Sequence, residues 1–209
     1  MSAALGIGRE FDTPVLEVPV VGRSIARQAM ASPGQIQSID WMYVQQPLDE
    51  ATLALCMDLL DVGSPLWVGP SLDTPDLRRV LALHCGCSIV GLPQMARFAL
   101  LGACELDDLR HFDNGVDGIP SHACTLIVQL DNLSAGPELR WRGPGIKQAT
   151  SKGVVDVRRV SLPLSRAFWQ QRSDQNSFPR GLDMFFAAGR QVLALPRSTH
   201  VLGGEVDTD

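Results

Sequence analysis

Cys124-Thr125-Leu126-Ile127-Val128-Gln129-Leu130 carries apolar side chains on both alternating faces, with β-branched residues among them. A strand of that kind must be covered on both sides, which places it centrally in a sheet between two layers. Two more apolar runs, Leu182–Ala187 and Val192–Leu195, flank Ala188-Gly189-Arg190 and read as a hairpin. Shorter strands are expected around Ile36–Ile39, Pro65–Val68, Ala96–Leu101, Leu139–Arg142 and Val154–Val160. Strands apolar on both faces require helices above and below a mixed sheet. The expected fold class is therefore α/β, with three α/β/α layers.

The helices announce themselves through their ends. Thr74-Pro75-Asp76 supplies a hydroxyl cap, a proline at the first helical position and an acid in the first turn. Leu77, Val80, Leu81 and His84 mark that helix's apolar face, and Gly86 suits its left-handed C-terminal cap. Asp49 is placed to cap a helix over Ala51–Leu60, and Pro163 to open one carrying Leu164, Ala167 and Phe168 on one face. Short helices are expected over Arg23–Ala31, ended by the Pro33-Gly34 turn, and over Glu105–Phe112.

Bulk properties narrow the class. With 209 residues, 45% hydrophobic and 20% charged, the chain is long enough to bury a core without disulfide staples. Its net charge of −5 is uninterrupted by any basic block, which argues against nucleic acid or an anionic membrane as partner. No run reaches the roughly 18 apolar residues of a membrane helix, and Met1–Val21 lacks the pattern of a signal peptide. The five cysteines, 56, 85, 87, 104 and 124, are odd in number and scattered, as in a cytoplasmic protein with reduced thiols. The expected organisation is an N-terminal arm over 1–20, one α/β domain over 21–202 and a flexible tail over 203–209.

A set of short strings recurs in a fixed order. Ala29-Met30-Ala31-Ser32-Pro33-Gly34 is followed by Ser64-Pro65-Leu66-Trp67-Val68, Leu77-Arg78 and His84. Gly143-Pro144-Gly145-Ile146 comes next, then Phe178-Pro179-Arg180-Gly181-Leu182-Asp183 and Leu195-Pro196-Arg197-Ser198-Thr199-His200-Val201. In this order they resemble the H subunit of the bacterial carbon–phosphorus lyase core complex, the PhnH family. The likeness runs from about the first helix to Val201.

The resemblance implies a fold similar to the large domain of pyridoxal-phosphate-dependent transferases, without the cofactor. It also implies a complex with G, I and J subunits in organic phosphonate catabolism, and a homodimer when isolated. Such a complex contributes to forming ribose 1-methylphosphonate 5-triphosphate from ATP and methylphosphonate. By the same resemblance, nucleosidase-like chemistry belongs to the I subunit and radical cleavage to the iron–sulfur J subunit. The H-type chain is then a structural or scaffolding component without activity of its own. Two departures stand out: Arg23-Ser24-Ile25 replaces an aromatic–arginine pair, and Leu202-Gly203-Gly204 displaces an acidic residue to Glu205.

Each chemical motif in the chain also has a plainer structural reading. A pyridoxal enzyme needs a Schiff-base lysine, and the chain has only Lys147 and Lys152, both in loop context without a phosphate cup. His84-Cys85-Gly86-Cys87 spaces its cysteines too closely for an ordinary zinc knuckle and has no second pair, so no metal site is expected. Gly143, Pro144 and Gly145 lack the lysine and hydroxyl of a phosphate-binding loop, and with Pro33 and Gly34 read as structural turns. The best candidate for ligand or partner contact is Arg180, Asp183, Arg197, Thr199 and His200. Forked arginines suit phosphate or carboxylate, and a histidine exchanges protons near neutral pH. The same residues equally suit an Arg180–Asp183 pair ordering the loop, with His200 at a strand end or against another subunit. A stand-alone enzyme or binding protein for a small phosphonate or nucleotide at Arg180, Arg197 and His200 is the rival function. No catalytic constellation is otherwise present in the sequence.

Overall fold

A computed structural model describes residues 24–40, 48–116, 122–150 and 153–203. The expected arm over 1–20, Lys152 and the tail from 204 onward lie outside the described residues. Four α-helices are described: α1 (Ile25–Ala31), α2 (Glu50–Leu59), α3 (Pro75–His84) and α4 (Arg166–Gln175). Among the strands, β1 (Gln37–Ser38), β2 (Pro65–Val68), β3 (Ser88–Ile89), β4 (Phe98–Gly102) and β5 (Thr125–Gln129) come first. They are followed by β6 (Glu138–Arg142), β7 (Gln148–Thr150), β8 (Gly153–Val155), β9 (Arg158–Ser161), β10 (Asp183–Ala188), β11 (Gln191–Leu195) and β12 (His200–Leu202).

Seven strands form one mixed sheet in the order β1-β11-β10-β5-β4-β2-β3. The run from β10 to β3 is parallel, while β11 closes the far side antiparallel through the hairpin with β10. The central strand is β5, in register with Met184 and Ala99 through Leu126. Its side chains alternate: Leu126 and Val128 face one core, Ile127 the other. Phe185, Ala187, Val192 and Ala194 share the Ile127 face with α1, α2 and α3. Met184, Phe186, Leu193 and Leu195 share the opposite face with Phe168 and Trp169 of α4. Leu126, Ile127 and Val128 are fully buried, as a strand covered on both sides must be.

The second covering layer is composite. Beside α4 it holds a three-stranded antiparallel sheet, β12-β6-β9, whose Leu139, Trp141 and Val160 enter the same core. β6 alternates exposed and buried along its length, the pattern of a strand with one face on a core and one in water. The expected all-helical layer is thus partly a sheet.

Local readings divide along physical lines. α3 begins as its sequence requires, with Thr74 Oγ1 accepting from the Leu77 N–H at 3.1 Å and Gly86 left-handed after its end. Asp49 stands at the start of α2, yet its carboxylate makes no cap; it accepts from Gly189 N–H at 2.8 Å and fastens the β10–β11 turn. α4 is opened by Ser165, whose hydroxyl accepts from Phe168 N–H at 3.1 Å, and Pro163 lies outside it. The expected helix over 105–112 is two 3₁₀ turns, Ala103–Glu105 and Leu109–His111. Asp108 tightens the second by accepting from Arg110 N–H at 3.0 Å. The single strand expected over 154–160 is broken into β8 and β9 by a bend at Asp156.

Candidate functional site

Asp183 opens β10 and Arg197 follows β11, so the antiparallel hairpin returns them to one edge of the sheet. Asp183 accepts the Arg197 backbone N–H at 2.7 Å, Nε at 2.9 Å and Nη2 at 2.5 Å. The two side chains are only 21% and 17% exposed. A fork held this way is already occupied. Arg197 thus forms an ion pair with Asp183. Arg180 packs nearby in a turn, its N–H donating to Ser177 O at 2.8 Å, next to the cis Phe178-Pro179 bond.

Thr199 and His200 point the chain elsewhere. Thr199 N–H closes a turn on Pro196 O at 2.9 Å, and His200 begins β12, pairing with Arg142 of β6 in the second sheet. Thr199 is fully buried and His200 exposed. Four of the five predicted residues therefore fall in two groups, a closed Asp183–Arg197 pair and the Thr199–His200 entry to β12, while Arg180 stands in the turn before β10. Both groups lie at the entry end of β10, whereas open parallel sheets place ligands beyond the carboxyl ends of their strands.

Sequence reasoning missed the residue that joins these groups. Arg172, on α4, is 4% exposed and donates through Nη2 to Pro196 O at 3.0 Å and Thr199 O at 3.2 Å. Burial lowers its pKa to about 10, with Asp183 acting in the opposite sense. Asn176, one turn on, donates to Arg197 O at 2.7 Å, so α4 holds the segment 196–199 from three points. The signal was legible: Arg172 lies three and four positions after Trp169 and Phe168, putting a cation on the helix's apolar face. Gly181 is required here because a β-carbon would collide with Asn176 Oδ1.

Beside Arg172 a groove of about 400 Å³ runs between α4 and β12. Trp169 forms part of its wall, set edge-on to Phe168 with ring centroids 4.8 Å apart and to Trp141 at 6.4 Å.

The turn motifs converge on each other. Gly145 has φ +79°, and a β-carbon there would meet Ala31 O at 2.8 Å and Pro33 Cδ at 2.9 Å. On its other side the same turn lies against Ser198 and Thr199, which a β-carbon at Gly143 would meet. Arg158 ties the assembly by donating to Pro33 O at 2.7 Å and Lys147 O at 3.3 Å. Three strings distant in sequence, around Pro33-Gly34, Gly143-Pro144-Gly145 and Pro196–Thr199, are thus one packed unit.

At the carboxyl end of the parallel strands, Glu105 accepts from Ser71 N–H and Gly102 N–H, both at 2.8 Å. Burial works to raise its pKa, but hydrogen bonds from Ser71, Cys104 and Gly102 outweigh it, and the net direction is down. Glu105 is therefore a clasp between the ends of β2 and β4. His84 is half-buried at the end of α3. Burial, reinforced by Cys87, pushes the Cys85 thiol up to about 12. Among the described residues no group of three or more His, Cys, Asp or Glu converges to hold a metal. Lys147 lies exposed beside the Gly145 turn.

Comparison with known proteins gives this arrangement a context. Residues 11–202 match the sequence model of a family described as bacterial phosphonate metabolism protein (PhnH). Over 195 residues, covering 90% of this chain and 92% of the relative, it is 32% identical to a Rhizobium meliloti (strain 1021) protein. That protein is named as the PhnH subunit of alpha-D-ribose 1-methylphosphonate 5-triphosphate synthase. A shorter stretch of 83 residues, 39% of either chain, is 35% identical to HtxG of Stutzerimonas stutzeri, named as a C-P lyase subunit protein. The packed turns and the Asp183–Arg197 clasp are therefore those of a protein that belongs to the bacterial phosphonate metabolism family PhnH.

Proposed function

We propose that this chain acts in organic phosphonate catabolism as the H-type subunit of a carbon–phosphorus lyase core complex. In that role it joins G, I and J subunits and contributes to forming ribose 1-methylphosphonate 5-triphosphate from ATP and methylphosphonate. The observation that carries this reading is the 32% identity spread over 90% of the chain to a subunit of that synthase.

The site chemistry agrees with a structural rather than a catalytic part. The strongest candidate cation, Arg197, is clasped by Asp183, and the Gly145 turn is filled by its neighbours. A stand-alone binding site at Arg180, Arg197 and His200 is disfavoured by that clasp and by the departure of His200 into β12. Under this reading the single domain spans 21–202, works in the cytoplasm, and shares the large-domain fold of pyridoxal-phosphate transferases without the cofactor. Alone it has no activity and covers its docking face by forming a homodimer.

The test is co-expression with G, I and J subunits, followed by native mass measurement of what co-purifies. A stoichiometric complex containing this chain is expected. If G, I and J assemble without it, the assignment is wrong. Sedimentation of the isolated chain at micromolar concentration checks the dimer, and a monomer refutes that part alone.

A further inference from the structure

We infer that the outer face of the small sheet β12-β6-β9, together with the edge of β12 that β6 leaves open, docks an extended acidic segment of a partner protein. The inference rests on the subunit role proposed above and names a surface through which the chain enters its complex. β6 alternates exposed and buried, so Glu138, Arg140 and Arg142 stand on the solvent side, with Leu139 and Trp141 on the core side. Pairing sets Arg159 of β9 opposite Arg140, His200 of β12 opposite Arg142, and Leu202 on the other side of Arg140. Residues directly opposite share a face of the sheet. One surface therefore gathers Arg140, Arg142, Arg159 and His200 in a chain whose net charge is −5.

Such clustering works against the isolated fold. Like charges directly opposite across two strands destabilise a sheet, and Arg140 meets Arg159 in that way. Among the described residues of these strands, the carboxylate on this face is Glu138, which pairs with Arg159 at 3.2 Å. Three arginines against one acid leave the surface positive, and the charge that complements it is a partner's carboxylates. A second copy stacked face to face would set arginines against arginines, so the homodimer proposed above uses another surface.

The edge of β12 supplies the main-chain half of the surface. β12 ends the order of its sheet, and among the described residues no strand pairs with its other edge. The groove beside α4 is lined by five successive residues of this segment, 199–203. Alternate side chains of a strand point to opposite faces, so an unbroken run means that the groove follows the strand's edge. An added strand would lie about 4.8 Å from β12 in this groove, the mode in which exposed edges take extended peptides. Arg166, exposed at the start of α4, flanks it from the helix side, and the described lining holds no carboxylate. Every second side chain of the segment would then face the arginines, with Leu202, 42% exposed, as an apolar neighbour. Nucleic acid fits less well, because the chain's net negative charge repels a polyanion and a strand edge recognises main-chain amides.

Co-expression of the full chain with G, I and J subunits tests it, comparing wild type with Arg140→Glu plus Arg142→Glu and with Arg140→Lys plus Arg142→Lys. Wild type should co-purify and be released as salt rises. Charge reversal should cut retention about tenfold or more, while the lysine variant keeps most of it. The isolated reversed chain should melt at the wild-type temperature or above, because Arg159 then faces an opposite charge. Amide hydrogen exchange over residues 200–202 should slow on assembly. Full retention of the reversed chain, or unchanged exchange along β12, overturns the inference and leaves the subunit role standing. Failure of the wild-type chain to co-purify overturns the subunit role, and this inference with it. With assembly intact, a reversal that abolishes only self-association makes a second copy the occupant. One that abolishes only capture of a single-stranded oligonucleotide makes it nucleic acid, and either result overturns the inference.

Discussion

Replacing Asp183 by Asn asks directly whether Arg197 belongs to the fold or to a ligand. The carboxylate receives three N–H donors from one residue, at 2.7, 2.9 and 2.5 Å. An amide offers one oxygen. If that oxygen keeps the backbone N–H, the amide NH2 is turned toward Nε and Nη2, and two charge-assisted bonds become a donor–donor contact. Bonds to charged groups contribute about 1.5–3 kcal/mol each, and breaking a fully buried pair costs about 3–5 kcal/mol. Because the side chains are 21% and 17% exposed, water recovers part of this, and the net loss should be about 2–3 kcal/mol. For a chain of this size that lowers the melting temperature by roughly 5–10 °C. Chemical denaturation of Asp183→Asn, Arg197→Gln and the double variant gives the coupling, expected at about 1–2 kcal/mol. Loss of less than about 0.5 kcal/mol in either single variant, or additivity in the double, would refute the clasp and return Arg197 to the ligand candidates.

Three other outcomes follow from the structure. Gly145→Ala forces a side chain into φ +79° against Ala31 O and Pro33 Cδ, and should cost about 2–4 kcal/mol in denaturant titration. Burial holds Cys85 and Cys124 at about 12, above their ordinary 9.0, so the unfolded chain releases these protons first. Stability should therefore be intact below pH 9.0 and decline as the pH rises toward 12, while exposed Cys104 labels rapidly in the native state and Cys56 only on unfolding. Glu105, held below its ordinary 4.5, stabilises the fold above that pH and loses the contribution as pH falls through its folded value. Glu105→Gln should flatten the acid limb of a stability–pH profile, and an unchanged limb would contradict the clasp.

Much of the fold was legible where local chemistry and tertiary demand coincide. The α3 start is written by Thr74-Pro75-Asp76 because the cap is made from residues three apart. The β10–β11 hairpin is written by two apolar runs around Gly189, and β5 by its two apolar faces. Reading failed where a side chain had a distant competitor. Asp49 resembles a cap, but the Gly189 N–H, 140 residues on, takes its carboxylate. Pro163 resembles a helix start, but Ser165 two residues later provides the oxygen that Phe168 N–H needs.

The site divides in the same way. Ordered strings around Pro33-Gly34, Gly143-Pro144-Gly145 and Pro196–Thr199 identified the family, because packed turns tolerate few side chains and leave a mark in sequence. By itself the sequence determined the α/β class, the central strand, the best-capped helix and the kinship. Only the tertiary structure decided that Arg197 clasps Asp183, that a small sheet shares the second layer with α4, and that Arg172 meets the carbonyls of Pro196 and Thr199. Each depends on a pairing between segments far apart in the chain, and no local propensity encodes which partner a charged side chain will meet.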